Sequence, residues 1–356
     1  MDLQPLLILA LIMSLNGLLL LLLLAWRWRF RYTERQKQVF LACWQPLLIQ
    51  WSLGQKPALP RLNPQEQLWF LQAWNARYQT LRGPVAAAGL HDILEQVGLR
   101  PQLLAWLQSH RDIRRLLAVQ TLGFLREQKA WEPLVEIALQ QQGMLALLAL
   151  RSLLLISPEA AIPVLLNGLR QQQDWSRARL LGMMRRLPFP AVAGGLGQAL
   201  QALEFSDPVD NSVAQTLVKM LTVIGYPHVL PVIRQTLKQA QEPELIITCL
   251  QALGSLKDYS AVPSLHTWLQ HPNWTVRLHA VKTLGVLATA NEIPLLLERL
   301  ADSNWWVRYR AVAALYGIPG IRLAKLAELQ QSHPRPEVRE ILNYYHLEQA
   351  QHESHH

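Results

Sequence analysis

Hydrophobic positions divide the chain into three zones. From Leu6 to Ala25 no residue is charged, and the run closes on the leucine block Leu18–Leu24. In a helix such a 20-residue stretch covers about 30 Å, one hydrocarbon thickness. A single membrane-spanning helix is therefore expected. From residue 38 to 110 apolar residues recur at helical spacing with no longer period, and Trp69, Phe70 and Trp74 fall on adjacent turns. Beyond residue 111 a longer rhythm sets in.

That rhythm has a step of 31 residues. Asn273-Trp274-Thr275-Val276-Arg277 aligns with Asn304-Trp305-Trp306-Val307-Arg308, and Val338-Arg339 repeats the last pair one step later. Small residues keep the same step at Cys249, Ala280 and Ala311, and again at Ala118 and Ala149, each followed four residues on by a leucine. Positions i and i+4 share one helix face, and a small residue there lets a neighbouring helix come close. Pro133, Pro163, Pro263 and Pro294 mark the other half of each unit. Proline is tolerated in a first helical turn, where no intrahelical N–H bond is lost, so each proline is expected to open a second helix. Asp174, Asn273 and Asn304 stand where a side-chain oxygen can cap a first helix. First helices are expected near 112, 143, 174, 209, 243, 274 and 305, with a closing helix from Pro336 to Leu347. The glycine- and proline-rich stretch 188–208 makes one unit irregular.

The pattern Asn-Trp-x-Val-Arg, two residues, Ala-Val, two residues, Leu, seen at 273–285 and 304–315, resembles the short bacterial HEAT repeats, including those of phycobilisome lyase subunits. The resemblance implies an all-α chain, an α-α superhelix preceded by the single transmembrane helix. Four segments follow: an anchor and basic collar at 1–37, an N-terminal helical cap at 38–110, a solenoid of seven helix pairs plus closing helix at 111–348, and a His-rich tail at 349–356.

Charge changes this picture at one place. The chain carries a net +9, but residues 1–37 hold Arg27, Arg29, Arg31, Arg35 and Lys37 against Asp2 and Glu34, 5 − 2 = +3. The rest is spread thinly, which disfavours a nucleic-acid arm. Basic residues flank only the C-terminal end of the apolar run, so the positive-inside rule puts the N-terminus outside the inner membrane and the repeat body in the cytoplasm. Trp26, Arg27, Trp28, Arg29 and Arg31 are the expected interfacial anchors, and Asn16 and Gly17 the candidate contacts for another membrane helix.

Catalytic signatures are missing from the sequence. There is no phosphate loop, no H-E-x-x-H helix and no G-x-S-x-G elbow, and Gly194-Gly195-Leu196-Gly197 follows no strand pattern. Cys43 and Cys249 lack metal or redox spacing. The terminal His352-Glu353-Ser354-His355-His356 reads as a frayed end or a weak metal binder. No cofactor or metal is expected. Arg277, Arg308 and Arg339 share one repeat position and read either as a structural ladder or as a binding stripe. Trp306 replaces Thr275 one step on, so Trp306, with Arg308 and Arg310 beside it, is the candidate partner-binding site.

Together these features predict a membrane-anchored cytoplasmic scaffold, not an enzyme, that binds and organises a protein partner. A bacterial envelope assembly, such as a glycosyltransferase or secretion complex, is one setting for it. The alternatives are a lyase-like or glycosylase-like HEAT enzyme, and a membrane-associated nucleic-acid binder using Arg111, Arg114, Arg115, Arg177, Arg179, Arg185 and Arg186.

Overall fold

The computed structural model describes the backbone of residues 4–81, 83–109, 111–171, 175, 177–184, 189–318 and 323–353, and every regular element among them is helical. Asp174, Arg185, Arg186 and the last three residues of the tail lie outside the described residues, as do the side chains of Arg177 and His352. The chain divides into two compact units, residues 1–134 and 135–356.

The first unit is built from α1 (Gln4–Ser52), α2 (Gln67–Thr80), α3 (Pro84–Val97), α4 (Arg100–Trp106) and α5 (Asp112–Phe124), and a 3-10 turn at Gln128–Ala130 leads to α6 (Trp131–Gln140) at its end. Phe40, Trp44, Leu48 and Trp51 lie on one face of α1 and are buried, packing on α2 and α3. Gly89 is what lets α3 come so near, because a Cβ there would lie 1.9 Å from the Trp51 carbonyl oxygen. The Trp74 indole N–H donates to the Leu90 carbonyl at 2.8 Å, so the largest buried ring of the unit has its polar atom satisfied.

The N-terminal half of α1 requires a correction. Among the described residues no helix is long and apolar enough to cross a membrane. Of the expected span, Leu6–Ile12 lie outside the described side chains. The expectation of a single-pass inner-membrane protein with an outside N-terminus is therefore overturned. Asn16 and Gly17 are exposed, and nothing approaches Gly17 within 4 Å. Trp26, Arg27, Trp28, Arg29 and Arg31 are exposed too, with Trp26 stacked on Phe30 and Trp28 on Tyr32 along the helix.

The second unit continues with α7 (Gly143–Ile156), α8 (Pro158–Arg170), α9 (Arg177–Met184), α10 (Phe189–Gln201), α11 (Pro208–Ile224), α12 (Leu230–Gln239), α13 (Pro243–Ser255), α14 (Val262–Leu269), α15 (Trp274–Leu287), α16 (Ile293–Arg299), α17 (Trp305–Gly317), α18 (Leu323–Ser332) and α19 (Pro336–Glu353). First helices stack in register, α11 on α13, α13 on α15, α15 on α17 and α17 on α19, and α12, α14, α16 and α18 also pack on the first helices that follow them. The repeated small residues Cys249, Ala280 and Ala311 are fully buried between them, as are Leu253, Leu284 and Leu315. Each such leucine contributes about 2 kcal/mol.

Asn273 and Asn304 cap α15 and α17 as expected, their Oδ1 atoms accepting from the N–H groups of Thr275 and Trp306 at 2.9 Å. Pro263 and Pro294 occupy the first turns of α14 and α16, each behind a 3-10 turn. Pro163 departs from this rule. It lies inside α8, which opens at Pro158, because the residues that make a 3-10 turn elsewhere here join the helix directly. The glycine cluster 194–197 is part of α10, where Gly195 lies against Ile162.

Candidate functional site

Every third or fourth residue of α17 faces inward, so Val307, Ala311, Val312 and Leu315 are buried while 305, 306, 309, 310 and 316 are left to the outer side. Four of those five are aromatic. Trp305 stacks on Tyr309 at 5.3 Å and meets Trp306 edge-on at 4.8 Å. One unit later, Tyr344 of α19 meets Trp305 edge-on at 5.4 Å, and Tyr345 approaches Tyr309 at 5.5 Å and Tyr316 at 5.0 Å. Edge-on and offset pairs of this kind are favourable because each ring has a negative face and a positive edge.

Polar groups fix the cluster. The Tyr309 hydroxyl donates to Glu348 Oε2 at 2.7 Å, and the Arg310 guanidinium lies 5.6 Å from the Tyr309 ring centre. The hydrogen bond to the carboxylate, with burial second, pushes the Tyr309 phenol up to about 12. The neighbouring row carries His279, whose Nδ1 lies 3.2 Å from Gln251 Nε2. Burial, with Lys282 and Arg310 close by, holds that imidazole below its ordinary value. Trp306 nevertheless remains 53% exposed and Tyr344 50%.

The three candidate residues separate here. Trp306 and Arg310 both reach Tyr309. Arg308 turns away: its Nη1 donates to the carbonyls of Asp302 and Ser303 at 2.8 and 3.2 Å. Arg277 does the same to His271 and Pro272, and Arg339 to His333 and Pro334. The arginine row is thus a ladder clamping the turns before α15, α17 and α19. Arg277 goes further, its Nε and Nη2 gripping both oxygens of Asp302 in the next unit at 2.8 Å. Burial raises the Asp302 carboxyl, but the Arg277 fork, the Asn304 N–H and the Arg299 charge overcome it and leave the carboxyl below its ordinary value. Two recesses of about 430 and 420 Å³ open beside this ladder, one lined by Arg299 and His333, the other by Ser303, Arg308 and Glu337, with Asp302, Pro334 and Arg335 in both.

Sequence reasoning missed Tyr309, Tyr344, Tyr345 and Glu348. The i, i+4 pair Trp305 and Tyr309 was a readable signal; the α19 pair falls outside the repeat motif. Of the other arginines proposed for nucleic acid, Arg114 lies over the Trp106 ring at 5.2 Å within the first unit. No group of three or more His, Cys, Asp or Glu side chains is placed to hold a metal ion among the described residues.

Comparison with known proteins gives architecture. No curated protein matches the chain. Solved structures that the chain is similar to, all at low identity and low TM-score, include YibA of E. coli (14% identical, 75% of this chain and 98% of that one, TM-score 0.35), the CpcE–CpcF complex of phycocyanin lyase from Nostoc sp. PCC7120 (16%, 81% and 98%, 0.29) and human deoxyhypusine hydroxylase (16%, 80% and 98%, 0.30). Two of these are enzymes by name, so the expectation that this chain is not an enzyme does not stand. At such scores none of their activities carries over to it. Residues 230–316, from α12 to α17, match the family model for HEAT repeats, so the stacked helix pairs of that segment are similar to HEAT repeats.

Proposed function

We propose that the HEAT array binds and organises a protein partner through the outer aromatic face of its last units, with Trp306 and Arg310 as the contact residues. The observation that carries this reading is the exposure of Trp306 and Tyr344 within a cluster already fixed by ring contacts and by the Tyr309–Glu348 hydrogen bond. Rings held in place have little rotamer freedom left to lose on binding, and Trp, Tyr and Arg dominate the energetics of protein interfaces. Within this reading residues 38–110 cap the start of an array running over 111–348, which accords with the packing of α2 and α4 on α5.

Chemical cross-linking in cells that produce the full chain, followed by affinity capture, tests it. Trp306→Ala combined with Arg310→Glu is expected to remove the main cross-linked protein while the circular dichroism spectrum and melting temperature stay unchanged. Equal recovery from wild type and variant overturns it.

A further inference from the structure

We infer that the Arg308 recess is a receptor for a carboxylate side chain presented by an acidic segment of a protein partner. This rests on the partner-binding reading of the same unit, and adds the chemistry that the partner must bring.

The repeat itself shows what the site takes. Arg277 clamps its own turn with Nη1 and offers the Nε–Nη2 edge to the Asp302 carboxylate of the next unit. One step on, 277 + 31 = 308 and 302 + 31 = 333, so the residue standing where Asp302 stands is His333. Arg308 keeps the clamp, with Nη1 on the Asp302 and Ser303 carbonyls. Its Nε is buried and has no hydrogen-bond partner. A shielded guanidinium N–H without an acceptor costs free energy that a carboxylate would return.

The His333 exchange preserves the turn while removing the charge. His271 Nδ1, Asp302 Oδ1 and His333 Nδ1 each accept the backbone N–H two residues on, from Asn273, Asn304 and Arg335. The position therefore needs an acceptor in every unit, and an aspartate at 333 would serve the turn equally well. With histidine there, the recess of about 420 Å³ bounded by Ser303, Arg308, Pro334 and Arg335 keeps two arginines against the single exposed acid Glu337, because Asp302 is already taken by Arg277. A carboxylate fits this fork as Asp302 fits Arg277, side-on to Nε and Nη2.

The probe is a hexaglutamate peptide titrated into the full chain by calorimetry, with hexaglutamine, inorganic phosphate and a single-stranded oligonucleotide as comparisons. Hexaglutamate is expected to bind, and the three comparisons to bind at least tenfold more weakly. His333→Asp restores the internal carboxylate, so it should weaken hexaglutamate at least tenfold and raise the melting temperature by several degrees. Gln331→Asp adds the same charge at an exposed neighbouring position and should leave binding within twofold. Arg308→Gln should weaken binding as His333→Asp does, and since its clamp is lost too, the stabilised His333→Asp variant decides if Arg308→Gln fails to fold. The inference is overturned if hexaglutamate does not bind, if His333→Asp leaves affinity and melting temperature unchanged, or if phosphate or the oligonucleotide binds as well. The two readings fail separately: a hexaglutamate site that depends on Arg308 stands even if Trp306→Ala with Arg310→Glu still captures the cellular partner.

Discussion

At the scale of single residues, the Arg277–Asp302 pair is the sharpest electrostatic commitment in the array. Its side chains are only 12% and 3% exposed, and removing one partner of a buried pair costs about 3–5 kcal/mol. Arg277→Met should therefore lower unfolding free energy by that order in a urea titration. The same pair sets a pH dependence. Because the Asp302 carboxyl is lower in the folded chain than in the unfolded one, its contribution is complete above about pH 4, the unfolded value, and is lost as pH falls through the folded value. Asp302→Asn should flatten the acid limb of the stability curve, while an unchanged limb would mean the pair adds nothing. The two thiols contrast as clearly. Burial pushes Cys249 up to about 12, whereas Cys43 is exposed. A thiol reagent at pH 8 should titrate one cysteine in the folded chain and two after denaturation.

At the scale of helices, the repeat period hides a difference between equivalent glycines. Gly254 and Gly285 are one step apart, on α13 and α15. A Cβ at 254 meets Thr283 at 3.5 Å, an ordinary contact, whereas one at 285 lies 2.6 Å from the Ala314 Cβ and 3.2 Å from its Cα. Alanine favours helix over glycine by about 1 kcal/mol. Gly254→Ala should therefore stabilise by up to about 1 kcal/mol, and Gly285→Ala should destabilise, because Ala314 has no flexible end to move aside. Thermal melts of the two variants shifting in the same direction would contradict this. Helix starts at 112, 143, 274, 305 and 336 were legible because caps, prolines and small residues recur at a fixed step. Pro163 misled because a proline cannot tell the first turn of a helix from the second when no 3-10 turn precedes it. The site was legible only in part. Trp306 was marked by departure from the repeat and Arg310 only by standing beside it, but Tyr345 and Glu348, which hold the Tyr309 that both reach, come from the next unit, and nothing in the motif places them. The asymmetry between Arg277 and Arg308 was hidden likewise, because the acid that serves Arg277 sits 25 residues away in a turn.

At the scale of the whole chain, a repeat array must end on a surface that needs no further neighbour. In the second unit α19 is the last described helix of the row, packing on α17 and α18 and burying Val338, Ile341 and Leu342. Ending the chain at Ser332 should cost about 5 kcal/mol or more in lost burial, and should appear as a lower melting temperature with aggregates in size-exclusion chromatography. A truncated chain that melts with the full one would show that α17 can end the array. In the first unit a different consequence follows from α1. Its 49 residues form one helix, clamped by Phe40, Trp44, Leu48 and Trp51 near one end and exposed from Leu15 to Gln36. From Phe40 to Gln4 the rod extends about 54 Å. It is a lever: a tilt of roughly 10° at the clamp would carry the far end through about 9 Å, so the snug seat that Gly89 leaves against Trp51 sets the angular precision of everything attached to the N-terminal turns.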